Sequence, residues 1–365
     1  MATAPIAPVV SLPLTPPTPS NPQLAGKTDV AILLPLSGPL SGLGHDMLDA
    51  AQMAVIELGS SDLALTPKDT KGTPAGAEAA ARAAIAEGAK LIVGPLTASE
   101  AMAVRPVASA VGVNVLSFST DVSVAGGNVF IMGIRPQEEV RRIVGYAAST
   151  GITQFAAVAP NTTYGQLVTS EFQRDVIASG GTVVDTEFFA PDGSDIAAVL
   201  KHVSADGNPG FTALLIPEGA HLRSIAGQLT ADGIDPSKVR LLGTGVWDMP
   251  GLGTEPSLVG GWYAAPAPAA RTVFEKHFQE TYGRAPKLLA ILSYDAVGVA
   301  AVLDRSPAHD FSATALTNPS GFAGRAGLFR LGSDGLGQHG LAVLQVTPTG
   351  TEVVSPAPDS FAGSS

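Results

Sequence analysis

Runs of apolar residues alternate with longer amphipathic stretches through the first third of the chain. The run DVAILLPL is followed by DMLDAAQMAVIEL, in which Met47, Ala50, Ala54 and Leu58 fall on one helical face. The alternation continues through GAEAAARAAIAEGA, KLIVGPL, SEAMAVRPVASAVG and NVLSFSTD. Continuously apolar strands that alternate with helices of about a dozen residues indicate βαβ units and a parallel sheet buried on both faces.

A second series of the same kind begins near residue 136. It runs through EEVRRIVGYAAS, QFAAVAP, YGQLVTSEFQRDVIASGG, GTVVDTEFF, DIAAVLKHVS, FTALLIP, LRSIAGQLTADG and VRLLGTGVW. The apolar segment GWYAAPAPAA then crosses back, and the helical patterns TVFEKHFQETYG and LLAILSYDAVGVAAVLD follow. RAGLFRLGSDGLGQHGLAVLQVT predicts a β-hairpin around a glycine-rich turn. The predicted fold class is therefore α/β, with two lobes that each contain a mostly parallel sheet flanked by helices.

The switches between these series set the predicted domain boundaries. These are 24–133 plus 267–329 for lobe 1, 134–266 plus 330–355 for lobe 2, 1–23 for a disordered tether, and 356–365 for a flexible tail. The tether is predicted because seven prolines in 23 residues cannot build a helix or a central strand.

Three hinge crossings are expected to join the lobes, near residues 133–136, 263–266 and 331–335. Two lobes joined in this way leave a cleft between the carboxyl ends of their strands. Ligands of open α/β sheets bind at that edge. The sequence therefore predicts a ligand site in the cleft.

Composition and charge exclude several classes of partner and site. The chain has 21 Lys+Arg against 32 Asp+Glu, a net charge of -11, and no basic run, which argues against nucleic acid and anionic membranes as partners. The absence of cysteine excludes a disulfide framework, a thiol nucleophile and a Cys-ligated metal. No apolar run reaches the roughly 18 residues of a spanning helix, and MATAPIAPVV lacks the features of a signal peptide. We interpret the tether as a segment that follows an export or lipoprotein signal in the native precursor. The hypothesis that follows is that the native protein is anchored by a lipid.

Loops rich in small hydroxyl residues follow three of the first-lobe strands. They are SGPLSG, PLTASE and SFSTD, and a helix or turn follows each. Hydroxyls and the free N–H groups of helix starts together suit a small anionic or polar group. The alternative for each loop is that its Ser or Thr only caps the next helix.

Enzyme signatures are weak. No serine has glycine at both flanking positions of a GxSxG elbow, a Walker loop is absent, and the six histidines lack the spacing of metal ligands. GLGQHG matches GxGxxG but leads into the strand LAVLQV, so it predicts a turn. Paired carboxylates at Asp121, Glu218 or Asp248 leave a hydrolase or lyase open as an alternative. We predict a protein that is not an enzyme and has no catalytic residue, metal or cofactor.

The order of these motifs resembles a known family. VAILLPLSGPLSGLGHDMLDAAQMAVIEL, LIVGPLTASEAMAVRPVASAVGVNVLSFSTD and YGQLVTSEF resemble the signatures of the periplasmic type I solute-binding proteins of the leucine/isoleucine/valine-binding family. LLGTGVWDMPGL, GGWYAAP, LSYDAVGVAA and GFAGRAGLFRL look like its alphaproteobacterial branch of penicillin-binding protein activators. The resemblance implies the two-lobed type I fold with three hinge crossings and a periplasmic location.

The resemblance also implies a set of ligand contacts. First-lobe hydroxyls and N–H groups hold a carboxylate in the family's amino-acid binders, and a second-lobe carboxylate with aromatics holds the ammonium. The corresponding positions and their neighbours here are Thr97, Ala98, Ser99, Ser119, Thr120, Asp121, Tyr164, Glu218, Trp247 and Asp248, with first-loop contacts at Ser41 and Leu43. The position of the ammonium-holding glutamate falls near Gly245.

Two departures from the family pattern make a plain branched-chain amino acid a poor ligand. Asp121 would repel a substrate carboxylate by about 1 kcal/mol in water, and Ala98 lacks the expected hydroxyl. Carboxylates at these positions suit hydroxyls or a cationic group, and Trp247 suits a ring or sugar face. Each has an alternative interpretation: Asp121 as a cap, Trp247 as core, Glu218 as a solvated side chain.

The predicted function is that of an exported protein that captures a small polar ligand by hinge closure. Its expected partners are that ligand and an ABC permease. The alternative is an interaction module that regulates a peptidoglycan synthase, with or without sensing a ligand. A cleft plugged by its own side chains would favour a ligand-free module.

Overall fold

The computed structural model describes residues 26–361, apart from the side chain of Asp206. The tether predicted for residues 1–23 lies outside the described residues. Within them, the chain forms a five-stranded, a seven-stranded and a three-stranded sheet. The two large sheets form the centres of two lobes, as the alternating pattern predicts.

The first sheet is parallel throughout, in the order β2-β1-β3-β4-β5. Its strands are β1 (Thr28–Leu34), β2 (Leu63–Asp69), β3 (Leu91–Val93), β4 (Asn114–Ser117) and β5 (Val129–Ile131). The connecting helices are α1 (Ser41–Glu57), α2 (Pro74–Glu87) and α3 (Ala98–Ser109). Ile32 and Leu34 pack with α1 on one face, whereas Ala31 and Leu33 pack with α2 on the other, so β1 is apolar at every buried position except Asp29.

The second sheet has the order β15-β14-β10-β9-β8-β6-β7. Its parallel strands are β6 (Gln154–Pro160), β7 (Thr182–Phe189), β8 (Ala213–Leu215), β9 (Arg240–Gly243) and β10 (Trp262–Ala265). Its helices are α4 (Pro136–Ser149), α5 (Thr163–Ala178), α6 (Ile196–Ser204) and α7 (Leu222–Ala231). Two antiparallel strands, β14 (Ala342–Thr347) and β15 (Gly350–Ser355), complete one edge.

The segment between β10 and β14 packs against the first sheet. It contains α8 (Pro268–Tyr282), α9 (Ala290–Asp304), α10 (Ala313–Leu316) and the antiparallel strands β11 (Phe322–Gly324), β12 (Gly327–Leu331) and β13 (Gly337–His339). Helix α9 is buried along most of its length because it lies between α1 and the small sheet. Phe274, Phe278 and Phe329 share one apolar core with α1 and α9.

The third crossing lies later than predicted. The sequence assigned residues from 330 onward to the second lobe, with a crossing at 331–335 and one hairpin that included LAVLQV. In the structure β12 pairs with β13, and the Ile131 N–H donates to the Gly335 carbonyl at 2.8 Å, so this stretch stays with the first lobe. Sheet membership changes only between His339 and Ala342. The prediction was wrong because two neighbouring hairpin-like strands carry no local signal of which sheet they join.

The predicted tail from residue 356 is packed over its described part. Phe361 is 5% exposed and lies beneath the guanidinium of Arg330, 4.6 Å from its ring centroid. Arg142 donates to the Pro356 carbonyl at 3.0 Å. These contacts hold residues 356–361 on the protein, against the predicted flexible tail.

Two of the crossings are tied to one another. Arg135, at the start of α4, donates to the Gly337 carbonyl at 2.8 Å. Glu138 accepts the His339 N–H at 2.9 Å and lies 3.2 Å from the His339 Nδ1. Because both side chains of this Glu–His pair are buried, the contact is protected from water and salt. The first and third crossings therefore meet in one polar cluster beside the cleft.

Helix α1 approaches the end of β1 so closely that only glycine fits at position 44. A Cβ there would lie well inside van der Waals contact of the Pro35 carbonyl, which is rigid backbone. Gly165 in α5 meets the Pro160 carbonyl in the same way. Both lobes thus use a first-turn glycine to seat a helix against the end of a strand.

We expect Gly44→Ala to lower the free energy of unfolding by about 1–3 kcal/mol, because the helix must move away from β1. The matched control is Gly145→Ala in α4, where an added Cβ meets nothing within 4 Å. This control should gain about 0.5–1 kcal/mol from helix propensity. Urea unfolding of the two variants measures the difference, and equal stabilities would contradict the close approach.

Candidate functional site: the cleft between the lobes

A cavity of about 560 Å³ lies between the two lobes. Its first-lobe wall is built from the loops after β3 and β4, and its second-lobe wall from the starts of α4 and α5 and the loop after β9. Residues of the first two crossings and the segment before α9 complete the lining. The carboxyl ends of both parallel sheets therefore face one shared space, where the strand order predicted it.

The lining is chiefly apolar. Its large apolar side chains are Leu96, Phe118, Ile134, Val246, Leu288, Leu289, Ile291 and Leu292. Leu288 is 53% exposed, Leu289 39% and Val246 38%, and all three line the cavity. Exposed apolar side chains gathered in a concave surface are typical of a ligand site. The ligand predicted from sequence was small and polar, whereas this lining suits a molecule with an apolar body.

On the first-lobe wall, the hydroxyl residues also serve as caps. The Thr97 hydroxyl donates to Glu100 Oε2 at 2.7 Å in a capping box at the start of α3. Asp121 accepts the Ser123 N–H at 2.9 Å, and the Asp121 N–H donates to the buried Ser119 at 3.1 Å. The capping alternative is therefore correct for Thr97 and Asp121, yet both residues line the cavity together with Ala98, Ser119 and Thr120.

On the second-lobe wall, two of the predicted ligand contacts, Tyr164 and Asp248, line the cavity. The Tyr164 hydroxyl lies 2.8 Å from Thr244 Oγ1, and burial, followed by the nearby Glu139, raises the pKa of this phenol. Asp248 forms an ion pair with Arg271, whose side chain is 17% exposed. Since Arg271 belongs to α8 and α8 packs in the first-lobe core, this ion pair joins the two lobes across the cleft.

Five predicted contacts lie outside the cavity lining: Ser41, Leu43, Ser99, Glu218 and Trp247. Trp247 is 0% exposed, and its Nε1 donates to the Ile216 carbonyl at 2.9 Å in the core of the second lobe. The core alternative is therefore the correct one for Trp247. Glu218 accepts the N–H groups of Ala220 and His221 at 2.5 and 3.2 Å, so it organises the loop after β8.

Glu139 is the principal residue that the sequence analysis missed. It lies in the first half of α4, lines the cavity, and is 9% exposed. Burial raises the pKa of its carboxyl to about 8, although the Gly245 N–H works against that shift, and Glu138 adds to it. A carboxyl near the start of a helix is an ordinary helix signal, so the sequence offered no sign that this one faces the cleft. Arg271 was missed because its partner, Asp248, lies 23 residues earlier in the chain and no local pattern pairs them.

One group of possible metal ligands lies apart from the cleft. Asp185, Glu187 and His202 bring ligand atoms within 4.8 Å of one another, on β7 and α6. His202 is exposed, and its Nε2 lies 3.5 Å from Glu187 Oε1.

The family model for periplasmic binding proteins matches residues 27–351, which is most of the chain. The chain belongs to the periplasmic binding protein family. The predicted family and fold class are confirmed, and with them the prediction of an exported binding protein that is not an enzyme.

Solved structures share the fold at low sequence identity. A protein described provisionally as a branched-chain amino acid ABC transporter from Rhodospirillum rubrum is 19% identical, with a TM-score of 0.81 over 90% of this chain and 100% of that one. A solute-binding protein of an ABC transporter from R. palustris, in complex with 4-hydroxybenzoate, is 16% identical, with a TM-score of 0.67 over 91% of this chain and 98% of that one. At this identity the likeness shows the fold.

A curated relative, the uncharacterized protein RP748 of Rickettsia prowazekii, is 24% identical over 176 residues, or 48% of this chain. The match spans about half of that relative, 47% of its length. Among the described residues of this periplasmic binding protein, none of the helices is long and apolar enough to cross a membrane.

Trp247→Ala should lower the free energy of unfolding by about 3–5 kcal/mol, because it empties a fully buried site and leaves the Ile216 carbonyl without its donor. Val246→Ala is the control, since its side chain faces the cavity and a change at an exposed position costs about 0.5 kcal/mol or less. Chemical denaturation followed by circular dichroism measures both. A tryptophan variant as stable as the control would return Trp247 to the list of ligand contacts.

The stability of the unliganded protein should fall as the pH rises from 6.5 to 8 and level off above that. The pKa of Glu139 is about 8 in the folded protein, above its ordinary value of 4.5, so between these two pH values the folded state holds a proton that the unfolded state has released, and stability is lost as the pH rises until it passes 8. The slope approaches about 1.4 kcal/mol per pH unit for one group. Glu139→Gln should flatten this part of the profile.

Asp295→Asn is the matched control for that profile. Burial raises the pKa of the Asp295 carboxyl to about 6, so its contribution is lost at lower pH. Asp295→Asn should change the slope of stability against pH only below about pH 6.5. It should leave unchanged the fall in stability that Glu139 causes at higher pH. A wild-type profile that stays level between pH 6.5 and 8 would contradict the assignment.

Proposed function

We propose that the protein is a solute receptor that captures a small organic molecule with an apolar body and one or more polar groups in the inter-lobe cleft. Closure of the lobes then presents the loaded receptor to an ABC permease. The observation that carries this proposal is the open, apolar cavity whose walls come from both lobes.

The size and chemistry of the cavity support a small ligand. Ligand sites commonly enclose about 300–1,000 Å³, are lined by apolar side chains and hold a few polar groups that orient the ligand. Here the polar groups are hydroxyls on the first wall and Tyr164, Glu139 and Asp248 on the second. A ring or a branched aliphatic chain of the kind that the structural relatives bind would fill the apolar part.

The contacts between the lobes support a hinge mechanism. The Glu138–His339 and Arg135–Gly337 contacts hold the first and third crossings together, so they define an axis at one end of the cleft. The Asp248–Arg271 ion pair joins the lobes at the cavity itself and has to break when they separate. A ligand in the cleft would add contacts that only the closed arrangement makes.

The cleft geometry favours a solute receptor over a ligand-free module that regulates a peptidoglycan synthase. We expected a ligand-free module to have a cleft plugged by its own side chains, whereas the cavity here is large enough for a small molecule. A regulator that senses a ligand would use the same cleft, and the identity of the partner would distinguish it from a transport receptor.

A thermal-shift screen against amino acids, aromatic acids, alcohols and amines tests the proposal. A solute at 100 times its Kd should stabilise the fold by about 2.7 kcal/mol. Val246→Trp, which fills the cavity, should abolish the shift. Ile56→Trp places the same ring on α1 at a site that is 77% exposed and should retain it.

Small-angle X-ray scattering with the same solute should show a smaller radius of gyration as the lobes close. A shift that survives Val246→Trp would place binding outside the cleft and refute the proposal. Stabilisation without compaction would refute the closure step alone.

A further inference from the structure

Glu139 occupies an unusual position on the cleft wall. Its carboxyl lies against the Cα of Gly245, so closely that a Cβ at position 245 would overlap Oε1. Gly245 begins the turn after β9 and offers its N–H to this carboxyl. The packing fixes the carboxyl at the cavity surface, where it faces the ligand space.

Among the described residues that line the cavity, none of the cationic groups is free to pair with this carboxyl. Arg271 is the one cation in the lining, and it pairs with Asp248. Glu138, the neighbour on the same helix, is itself an acid and is paired with His339 and Arg135. The remaining titratable groups of the lining are Tyr164 and the carboxylate of Asp121.

The cavity is therefore acidic as well as apolar. Three carboxyls face it from Asp121, Glu139 and Asp248, against the single guanidinium of Arg271. A buried carboxylate without a counter-ion is strongly unfavourable, and a ligand that brings a positive charge removes that penalty. A ligand that brings only a negative charge adds to the repulsion.

We propose that the solute carries a protonated amine on an apolar body and that Glu139 is its counter-ion in the cleft. This inference rests on the proposed function, because it names the class of solute that the receptor takes. Asp121, which is exposed on the opposite, first-lobe wall, adds a longer-range attraction.

The binding step releases a proton. In the unliganded protein the Glu139 carboxyl has a pKa of about 8 and is mostly protonated at neutral pH. When the ammonium ion binds, the carboxyl O–H bond breaks, the proton passes to the buffer, and an ammonium–carboxylate pair remains. Affinity should therefore rise with pH, by at most about tenfold per unit, and level off above pH 8. A ligand that instead accepts a hydrogen bond from the neutral carboxyl would show constant affinity below pH 8 and a loss above it.

Titration calorimetry with three matched series of probes tests the inference on the full chain. The series are 2-phenylethylamine and butylamine, the alcohols 2-phenylethanol and butanol, and the anions 3-phenylpropionate and pentanoate. Each probe is titrated at pH 6, 7 and 8 in two buffers with different heats of ionisation. We expect the amines to bind at least tenfold more tightly than their partners, with close to one proton released at pH 7.

Variants separate a counter-ion from a merely structural residue. Glu139→Gln should weaken amine binding at least tenfold and abolish proton release. Glu171→Gln removes an equally buried glutamate of α5 that lies outside the cavity lining, and should leave both unchanged. Glu139→Asp should retain proton release with weaker binding. Should Glu139→Gln fail to fold, proton release and pH dependence in the wild type still decide the question.

The outcomes distinguish this inference from the proposed function. Tighter binding of the alcohols or anions, or amine binding without proton release, would overturn the inference and leave the receptor function standing. If the amines do not bind while another solute stabilises the wild type but not Val246→Trp, the inference is again overturned and the receptor function stands. If no solute binds in either the thermal-shift screen or the calorimetry, the proposed function and the inference are both overturned.

Discussion

The parallel arrangement of the strands is the constraint on which the site depends. Parallel strands end at one edge of a sheet, so the loops after β3 and β4 lie side by side, and the loops after β6 and β9 lie at one edge with β8 between their strands. Helices begin at the same edge and are seated closely enough to require glycine at positions 44 and 165. The wall at the edge of each sheet thereby consists of strand ends, helix-capping residues and short side chains. The crossings join the two lobes so that these walls face each other.

The cleft combines apolar surface with charged groups that stabilise the fold poorly when the cleft is empty. Leu288, Leu289 and Val246 remain exposed at the cavity, and Glu139 is buried with a backbone N–H in place of a counter-ion. Both features oppose stability in the unliganded protein, because apolar exposure costs free energy and the buried Glu139 carboxyl must take up a proton that it lacks in the unfolded chain at neutral pH. Such conflicts are typical of functional sites, where stability is lost in exchange for binding. The Asp248–Arg271 pair partly compensates by linking the lobes.

Prediction from sequence succeeded where the signal is local and failed where it is not. The alternation of apolar runs and amphipathic helices identified both lobes, and the loops of small residues after β3 and β4 lie on the cavity wall. Trp247 was misplaced because an aromatic residue after a strand has the same local pattern whether it lines a cleft or fills a core. The third crossing was misplaced because strand pairing between β12 and β13, or with β14, depends on long-range hydrogen bonds.

The sequence by itself determined the class of fold, the order of its elements, the edge at which the inter-lobe cavity lies and several residues that line it. Those features follow from periodicity, strand polarity and capping, which act between neighbours in the chain. Only the tertiary structure decided that Glu139 meets Gly245 and that Arg271 neutralises Asp248. Coulomb energy and desolvation depend on distance and burial in space, and both partners in each contact come from segments that are far apart in the chain.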